Sequence, residues 1–434
     1  MDKMADVLGR AGAWCGQNKY LSAIKNAFQN FMPLTIAGAI GVLWCNVLVN
    51  DQTGLGLVFK PIMALDFLTP AFQAVNFCTI SCITVGITLG IAQEIGIWNM
   101  GAEKAGYIPG LVGLAAWLSV TNTSHMVEGA KDAFTGIAGN ELGATGLFTG
   151  MIIGVLSVEL FCFFEKQDAL KIKMPEQVPP GVARAFEVLV PATITLIITA
   201  CIGSACYNLT GLYLNDVIKN GIQGPLGAVG ATIPGVMIIY LVIMLFWLVG
   251  IHGNNMLSAV KEALFTPLAL ENVEAFNKGE TPKNIINMYA LQMWGEFGGS
   301  GVTIGLVIAI MIFGKREDNK AIATLSLVPG LFNINETVTF GIPMVLNPIL
   351  GIPFVVAPLV TIIIGYVLTV IGFCPVACLT VPWTTPPIVF GFLACGANVM
   401  GAVTQAILIV VSTVIYVPFL ISYEKYQNKQ AAEA

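Results

Sequence analysis

The chain has two histidines, and one of them ends a long apolar run. His252 follows the apolar stretch 233–251, and an ionisable group in that position is costly unless it pairs or faces a polar cavity. We therefore predict that the His252 imidazole donates a hydrogen bond to a ligand or accepts one from it. The alternative is an interfacial histidine that caps a helix. The other histidine, His125, lies in the polar stretch 121–129 and is predicted to be solvated surface.

One carboxylate is also stranded among apolar residues. Glu336 lies in the stretch 331–337, and a buried carboxylate without a partner is unstable, so it must hold a proton or accept hydrogen bonds. Its neighbours Asn333 and Asn335 add amide donors and acceptors. Sugar hydroxyls need both kinds of group, so the stretch predicts a sugar site. The alternative is a structural acid that satisfies backbone N–H groups at a helix start.

Three further residues are predicted to bind the same ligand. Trp383 lies in a proline-rich stretch where a regular helix is disfavoured, and its ring suits the apolar face of a sugar; the alternative is an interfacial tryptophan. Glu296 lies in the glycine-rich stretch 294–301, where it is predicted to pair with a ligand or with His252, unless this stretch is a flexible hinge. Asn254 follows His252 by two residues and adds an amide.

Several kinds of chemistry are excluded or disfavoured by the motifs. The chain lacks a GxxxxGK[ST] phosphate loop, a GxSxG elbow and an HExxH helix. Its ten cysteines lack CxxC or Cys/His zinc spacing, so no metal or cofactor site is predicted. No basic run is long enough to follow a phosphate backbone, which disfavours nucleic acid as a partner.

The elements that position these residues must be membrane helices. Only 10% of the 434 residues are charged, against roughly 25% in ordinary soluble chains, and 56% are hydrophobic. The sequence therefore predicts an all-α polytopic membrane protein that contacts lipid. Nine apolar segments are candidate spans. They are 31–48, 72–91, 107–120, 147–164, 188–205, 233–249, 302–313, 353–371 and 402–421.

Basic residues indicate how these spans are oriented, because lysine and arginine resist translocation. The basic clusters lie at 3–25, 166–184, 315–320 and 425–429. Placing all four in the cytoplasm puts both termini inside and requires an even number of crossings. One more crossing is then needed within 250–301, where 288–294 is the nearest candidate. We predict about ten transmembrane helices, with irregular backbone between residues 250 and 301.

Two polar stretches are predicted to enter the membrane without crossing it. These re-entrant hairpins lie near 251–270 and 321–340, and each carries Gly, Pro or Asn flanked by apolar residues. Irregular backbone at membrane depth must line a cavity or be buried in protein, and transporters place their substrate at such breaks. We therefore predict two domains: residues 1–210 as a scaffold of about five spans, and residues 211–434 as a substrate-binding transport domain.

Several motifs, in this order along the chain, resemble those of one known family. They are Ile-Lys-Asn-Ala-Phe at 24–28, Met-Pro-Leu-Thr-Ile-Ala-Gly at 32–38, Gly-Ile-His-Gly at 250–253, Gly-Gly-Ser-Gly at 298–301, Phe-Asn-Ile-Asn-Glu at 332–336, Phe-Gly-Ile-Pro-Met at 340–344 and Asn-Pro at 347–348. From about residue 23 to 423 the chain resembles the IIC permease of the bacterial phosphotransferase system, in the lactose, cellobiose and diacetylchitobiose branch. Relatives commonly have proline after the motif glutamate, where this chain has Thr337.

The resemblance implies a homodimer in the bacterial cytoplasmic membrane, in contact with lipid, with ten spans and two re-entrant hairpins per protomer. The N-terminal half would make the dimer contact, and the C-terminal half would bind a β-linked disaccharide such as diacetylchitobiose or cellobiose. The motif histidine falls on His252 and the motif glutamate on Glu336, implicated in sugar binding and in phosphorylation near the C6 hydroxyl. The phosphoryl donor would be a phosphocysteine on a separate cytoplasmic IIB protein, so this chain would carry no phosphoryl group itself.

Two other functions remain open from the residues alone. In a proton-coupled sugar symporter, His252 and Glu336 would form a proton relay. A passive sugar channel would need no conformational cycle. A relay usually needs more than one intramembrane acid, and the predicted spans contain few, which favours group translocation. The sequence leaves the choice among diacetylchitobiose, cellobiose and lactose open.

Overall fold

Helices form most of the described chain, because in lipid every backbone N–H and C=O group needs an internal partner. The structure is a computed structural model, and it describes residues 10, 13–14, 17–50, 55–125, 134–175, 177–225, 230–342 and 344–433. The predicted helical fold class is confirmed. The number of crossings and the homodimer stay predictions.

The first half of the chain contains ten α-helices among its described residues and one short hairpin. The helices are α1 Lys19–Leu43, α2 Leu55–Val58, α3 Thr69–Asn76, α4 Ile83–Met100, α5 Ala102–Ala105, α6 Ile108–Val120, α7 Gly139–Leu142, α8 Ala144–Glu165, α9 Pro180–Thr210 and α10 Leu214–Ile218. Short 3₁₀ or π-helical turns lie at Trp44–Leu48, Lys60–Leu68, Phe77–Ser81, Asp168–Leu170 and Lys219–Gln223. Strands β1 Ser124–His125 and β2 Phe134–Thr135 pair antiparallel.

The second half of the chain contains shorter and more frequently broken helices. They are α11 Ile233–Leu248, α12 Gly253–Met256, α13 Ser258–Asn277, α14 Met288–Gly295, α15 Ile304–Phe313, α16 Glu317–Leu331, α17 Glu336–Gly341, α18 Gly351–Val370, α19 Val389–Ala394 and α20 Val399–Glu433, with a 3₁₀ turn at Ser300–Val302.

Five helices in the described ranges are long and apolar enough to cross a membrane. They are Lys19–Leu48, Ala144–Glu165, Pro180–Thr210, Gly351–Val370 and Val399–Gln430. Two bent pairs also qualify, Lys60–Ser81 with Ile83–Met100 and Met288–Val302 with Ile304–Phe313, while α6 and α11 are shorter apolar helices. Eight of the nine predicted apolar segments each lie on one helix to within one or two residues, and the segment 72–91 crosses the 42° bend of the first bent pair.

The described chain divides into two units that are not continuous in sequence. The first unit comprises Gln17–Gly38 and Ala74–Ala228, and the second comprises Ala39–Gln73 and Val229–Ala434. The division therefore differs from the predicted boundary at residue 210, and a segment before residue 74 joins the second unit. In that unit the Asn46 amide nitrogen donates to the Asn277 amide oxygen at 3.0 Å. The predicted roles of scaffold and transport domain stay predictions.

In the first unit, glycines let α8 approach α4 closely. Gly146, Gly150 and Gly154 recur every fourth residue along α8 and so lie on one face. A Cβ at Gly150 would lie 2.2 Å from Oγ1 of Thr88, and one at Gly154 would lie 3.1 Å from the Thr88 carbonyl oxygen. Small residues at this spacing are typical of membrane helix pairs, where packing drives association.

The stretch from residue 250 to 301 is more regular than predicted. It contains the 20-residue helix α13 and the short helix α14, and irregular backbone is limited to the segments around them. Polar residues lower the hydropathy of α13, and they have partners within the second unit. The buried Asn272 amide nitrogen, for example, donates to the carbonyl oxygens of Asn284 at 2.8 Å and Ala377 at 3.0 Å. The residues 288–294 lie on α14, and Met288–Val302 and α15 form a pair bent by 60°, which is either one broken span or a re-entrant loop. A separate crossing at 288–294 stays a prediction.

Both stretches predicted as re-entrant hairpins contain a helix break. The first has α12 and α13 separated at Leu257, and the second has α16 and α17 separated by residues 332–335. These breaks leave short helix ends and exposed backbone that must be satisfied locally. Their position relative to a membrane stays a prediction.

Candidate functional site

One cavity of about 220 Å³ in the second unit is lined by all seven residues predicted from the sequence. The predicted residues are His252, Asn254, Glu296, Asn333, Asn335, Glu336 and Trp383. The additional lining residues are Asn255, Gln292, Phe297, Gly299, Ser300, Ile334, Phe390 and Gln405. Most of the lining is therefore polar or aromatic, as a site for a neutral polyhydroxylated ligand requires. The other histidine, His125, lies on β1 of the first unit.

Helix breaks position most of these side chains. His252 immediately precedes α12, Glu336 is the first residue of α17, and Glu296 follows the last residue of α14. Asn333 and Asn335 lie in the segment between α16 and α17. At such ends the backbone leaves the helical ladder, so side chains of consecutive residues reach different directions. The breaks therefore gather on one cavity residues that lie far apart in the sequence.

The His252 ring has a defined tautomer in this arrangement. Its Nδ1 accepts a hydrogen bond from the backbone N–H of Asn255 at 3.3 Å, and its ring centroid lies 4.4 Å from that of Trp247. A backbone N–H only donates, so Nδ1 carries no proton and the neutral imidazole holds its proton on Nε2. The two roles considered for His252, helix capping and ligand binding, are therefore compatible. Its Nδ1 caps α12, and its Nε2–H is presented at the cavity.

Glu336 faces His252 across a gap that a ligand atom fits. Its Oε1 lies 3.9 Å from Nε2 of His252, and 49% of its side chain is exposed. Glu336 begins α17, as expected of an acid that satisfies backbone N–H groups at a helix start. Among the described residues, however, its carboxylate has no hydrogen-bond partner. An oxygen atom can lie about 2.8 Å from both Nε2 of His252 and Oε1 of Glu336, which is hydrogen-bonding distance to each. A single hydroxyl therefore fits between the two side chains, accepting from His252 and donating to Glu336.

Glu296 pairs with a lysine and a tyrosine, not with His252. Its Oε1 accepts from the hydroxyl of Tyr240 at 2.7 Å and forms a close ion pair with Nζ of Lys261. Tyr240 and Lys261 are both buried. The predicted pairing of Glu296 with His252 is therefore wrong, because α13 brings the buried cation to it. The proposed contact of Glu296 with a ligand stays open, since the side chain also lines the cavity.

Asn333 holds the cavity wall together through its amide. Its Oδ1 accepts from the backbone N–H of Gly298 at 2.6 Å, and its Nδ2 donates to the carbonyl oxygens of Trp383 and, at 3.1 Å, Thr385. The backbone of Asn333 has a φ of 63°, a left-handed value that asparagine tolerates better than most residues. This side chain therefore joins three segments that the sequence separates by up to about ninety positions.

Asn335 is buried, and a glycine makes room for it. Its Nδ2 donates to the carbonyl oxygen of Ser300 at 2.8 Å. A Cβ at Gly299, where φ is 86°, would lie 2.6 Å from Cβ of Asn335. The close backbone approach expected of the stretch 294–301 is thus present at Gly299.

Two amide oxygens at the cavity have no hydrogen-bond partner within the described part of the chain. They belong to Asn254, whose Nδ2 donates to Oγ of Ser300 at 3.1 Å, and to Gln292. Buried amide oxygens are rarely left unpaired. Both acceptors are therefore available to a ligand that carries O–H or N–H groups.

Sequence reasoning missed four residues of this site. Gln405 accepts from the backbone N–H groups of Ile388 and Gly391 and so fixes the segment before α19. Gln292, Tyr240 and Lys261 were also not singled out. The sequence did contain a signal for Lys261, which lies beside Glu262 in the apolar-flanked stretch 251–270. For the other three, an amide or phenol on an apolar helix has no distinguishing pattern.

Among the described residues, no group of three or more His, Cys, Asp or Glu side chains is placed to hold a metal ion. The arrangement offers hydrogen-bond donors, acceptors and two carboxylates. It is therefore suited to binding hydroxyl groups and to taking a proton from one of them.

Comparison with known proteins identifies the family of this chain. The family model for "Phosphotransferase system, EIIC" matches residues 25–358. This chain belongs to the EIIC family. The family resemblance found in the sequence motifs is thereby confirmed, and this EIIC chain is a membrane protein with several apolar helices.

Three similar proteins cover nearly the whole EIIC chain. It is 33% identical over 429 residues to the oligo-beta-mannoside-specific EIIC component of Bacillus subtilis (strain 168), covering 98% of this chain and 94% of that protein. It is 30% identical over 486 residues to the cellobiose-specific EIIC component of Lactococcus lactis subsp. lactis (strain IL1403), covering 98% of each. The crystal structure of the transporter ChbC, the IIC component of the N,N'-diacetylchitobiose-specific phosphotransferase system, matches with a TM-score of 0.88 at 29% identity over 97% of each chain.

Proposed function

We propose that this EIIC imports a β-linked disaccharide such as cellobiose or diacetylchitobiose and presents it for phosphorylation by a phospho-IIB protein. The observation that carries the proposal is the convergence of seven predicted residues on one cavity. The names of the similar proteins support a β-linked sugar. A disaccharide offers many hydroxyls to a wall that is rich in amides and carboxylates.

His252 and Glu336 act together on one hydroxyl in this proposal. Nε2–H of His252 donates to the hydroxyl oxygen, and Oε1 of Glu336 accepts the hydroxyl hydrogen across the 3.9 Å gap. Trp383 packs on the sugar ring, and the amides of Asn254 and Asn335 and the carboxylate of Glu296 fix the remaining hydroxyls. Asn333 contributes by holding the wall.

The chemical step transfers a phosphoryl group from a donor that this chain does not contain. The C6 hydroxyl oxygen attacks the phosphorus of the IIB phosphocysteine, an O–P bond forms, and the S–P bond breaks. The sulfur leaves as a thiolate, and the hydroxyl proton passes to Glu336. The sugar phosphate is charged and stays in the cytoplasm, which makes import irreversible.

Translocation needs the site to face each side of the membrane in turn. We propose that a transport domain built mainly from residues 211–434 moves against a scaffold built mainly from residues 1–210, and that the scaffold forms the homodimer. Both termini lie in the cytoplasm, about ten helices cross the membrane, and the two hairpins at 251–270 and 321–340 enter it without crossing. A proton-coupled symporter that uses His252 and Glu336 gains no support from the similar proteins.

Equilibrium binding tests the site. We expect purified wild-type protein to bind at least one of radiolabelled cellobiose, β-1,4-mannobiose, lactose and diacetylchitobiose. His252→Ala and Glu336→Gln should abolish binding or phosphorylation of that sugar, because each removes one side of the hydroxyl position. His125→Ala and Glu280→Gln are matched controls that lie outside the cavity and should behave as wild type. Normal binding and phosphorylation in both cavity variants would overturn the assignment.

A further inference from the structure

Lys261 is a buried cation of the second unit. It lies on α13, only 7% of its side chain is exposed, and its Nζ pairs with Oε1 of Glu296. An ammonium group removed from water is unstable unless it is paired and hydrogen-bonded. The side chain therefore depends on Glu296.

The ion pair joins three helices at the cavity. Tyr240 comes from α11, Lys261 from α13 and Glu296 from the end of α14. Nζ of Lys261 also lies 5.6 Å from the centre of the Tyr240 ring, a cation–π distance. The carboxylate is thus held by two groups that do not themselves line the cavity.

Both partners use the same carboxylate oxygen. The Tyr240 hydroxyl donates to Oε1 of Glu296, and Lys261 pairs with that same Oε1. Within the described residues, Oε2 of Glu296 has no hydrogen-bond partner, while the side chain lines the cavity. One oxygen therefore anchors the group, and the other is left for a ligand.

A purely structural role does not explain this choice of residues. Replacing a buried ion pair by apolar residues of similar size is often neutral or stabilising, because desolvation offsets the attraction between the charges. A buried Lys261–Glu296 pair beside the proposed sugar site is explained if the site needs the negative charge of Glu296. A neutral carboxylic acid would offer a weaker acceptor to a sugar hydroxyl.

We infer that Lys261 is a positioning residue, which anchors Oε1 of Glu296 and so turns its Oε2 toward the sugar, with Tyr240 as the second anchor. The inference rests on the proposed function, because it assigns the acceptor that Glu296 offers to a disaccharide hydroxyl. Lys261 would thus affect sugar affinity without contacting the sugar.

A double-mutant cycle separates this role from a general effect on folding. We expect Lys261→Met to weaken binding of the best-bound sugar of the four-sugar panel by at least about tenfold, in line with a lost charged hydrogen bond. Lys261→Arg keeps the charge and should stay within about threefold of wild type. In a Glu296→Gln background, Lys261→Met should cause no further loss, because the anion it serves is gone. Equal losses in both backgrounds would show that Lys261 acts independently and would overturn the inference.

A second cycle keeps the test decisive if Lys261→Met does not fold. Tyr240→Phe removes one anchor without removing a charge and should weaken binding by about threefold in the wild type and not at all in Glu296→Gln. The matched control is Lys278→Met, which breaks an exposed ion pair with Glu274 at the end of the same helix α13 and should leave affinity unchanged. If the wild type binds none of the four sugars, the proposed function fails; if it binds and both cycles show equal losses, only the role of Lys261 fails.

Discussion

At the scale of single residues, several side chains of the cavity bind the protein itself and so set the shape of the site. Asn333 is the best case, because all its hydrogen bonds go to backbone groups of Gly298, Trp383 and Thr385. Sequence reasoning treated it as a sugar ligand. In the structure its amide holds the segment that carries Trp383, and a direct contact between Asn333 and a sugar stays a prediction.

Asn333→Asp tests this positioning role. The aspartate keeps the acceptor for the Gly298 N–H, but its second oxygen faces two carbonyl oxygens and repels them, so the Trp383 segment should move. We expect sugar affinity to fall by about tenfold in equilibrium binding. Asn208→Asp on α9, whose amide donates to Oγ of Ser204, is the control and should bind normally. Unchanged affinity in Asn333→Asp would contradict the role.

From residue chemistry alone, isolated charges predicted side chains that the structure brings to one cavity. Glu336 and His252 stood out because apolar neighbours left them without sequence partners. Of the alternatives for Glu296, the pairing with His252 is wrong, since its pairing with Lys261 depends on how α13 folds back onto α14. Local sequence does not encode that return.

At the scale of elements, glycines decide where backbone segments approach each other. Gly299→Ala tests the contact between the stretch 298–301 and Asn335. Its added Cβ combines a left-handed φ, costing about 1–2 kcal/mol, with overpacking, costing about 1–3 kcal/mol. We expect a lower midpoint of thermal unfolding in detergent and weaker sugar binding.

Gly372→Ala is the matched control for that change. Gly372 has a φ of 77°, similar to that of Gly299, but a Cβ there would have no neighbour within 4 Å. The control should show the smaller loss of stability and no loss of sugar affinity. Equal effects of the two alanines would mean that the contact with Asn335 is unimportant.

The contact between α8 and α4 in the first unit gives a separate prediction. Gly150→Val places branched carbons where even a Cβ would lie 2.2 Å from Oγ1 of Thr88. The helices must separate, and we expect about 1–3 kcal/mol of destabilisation, measured as a lower unfolding midpoint. Gly181→Val, at the start of α9 where nothing lies within 4 Å, should change the midpoint much less.

The positions of the strongly apolar helices were predictable from hydropathy, whereas those of the more polar helices were not. All nine apolar segments lie on helices, because uniformly apolar runs have few other structures available in lipid. The helix α13 was missed because Lys261, Glu262 and Asn272 lower its hydropathy, and the partners of Lys261 and Asn272 lie outside the helix. The bend between α14 and α15 was anticipated only as a short or broken span.

At the scale of the whole molecule, the chain order does not match the division into units. Residues 39–73 belong with residues 229–434, whereas the sequence suggested a single boundary at residue 210. Composition is nearly uniform along an apolar chain, so it carries no signal for such an exchange. The family, by contrast, was recognisable from short motifs, and three of them, at 250–253, 298–301 and 332–336, lie at the helix breaks that build the cavity.

Uptake of radiolabelled disaccharide by cells that express this EIIC with a IIB partner and the proteins that phosphorylate it tests the central claim most directly. The claim is that the cavity of the second unit delivers a β-linked disaccharide to phospho-IIB. We predict that labelled sugar phosphate accumulates inside the cells, that accumulation requires IIB, that Glu336→Gln abolishes it, and that a protonophore added with phosphoenolpyruvate maintained has no effect. Accumulation of unmodified sugar that continues without IIB and collapses with the proton gradient would contradict the account.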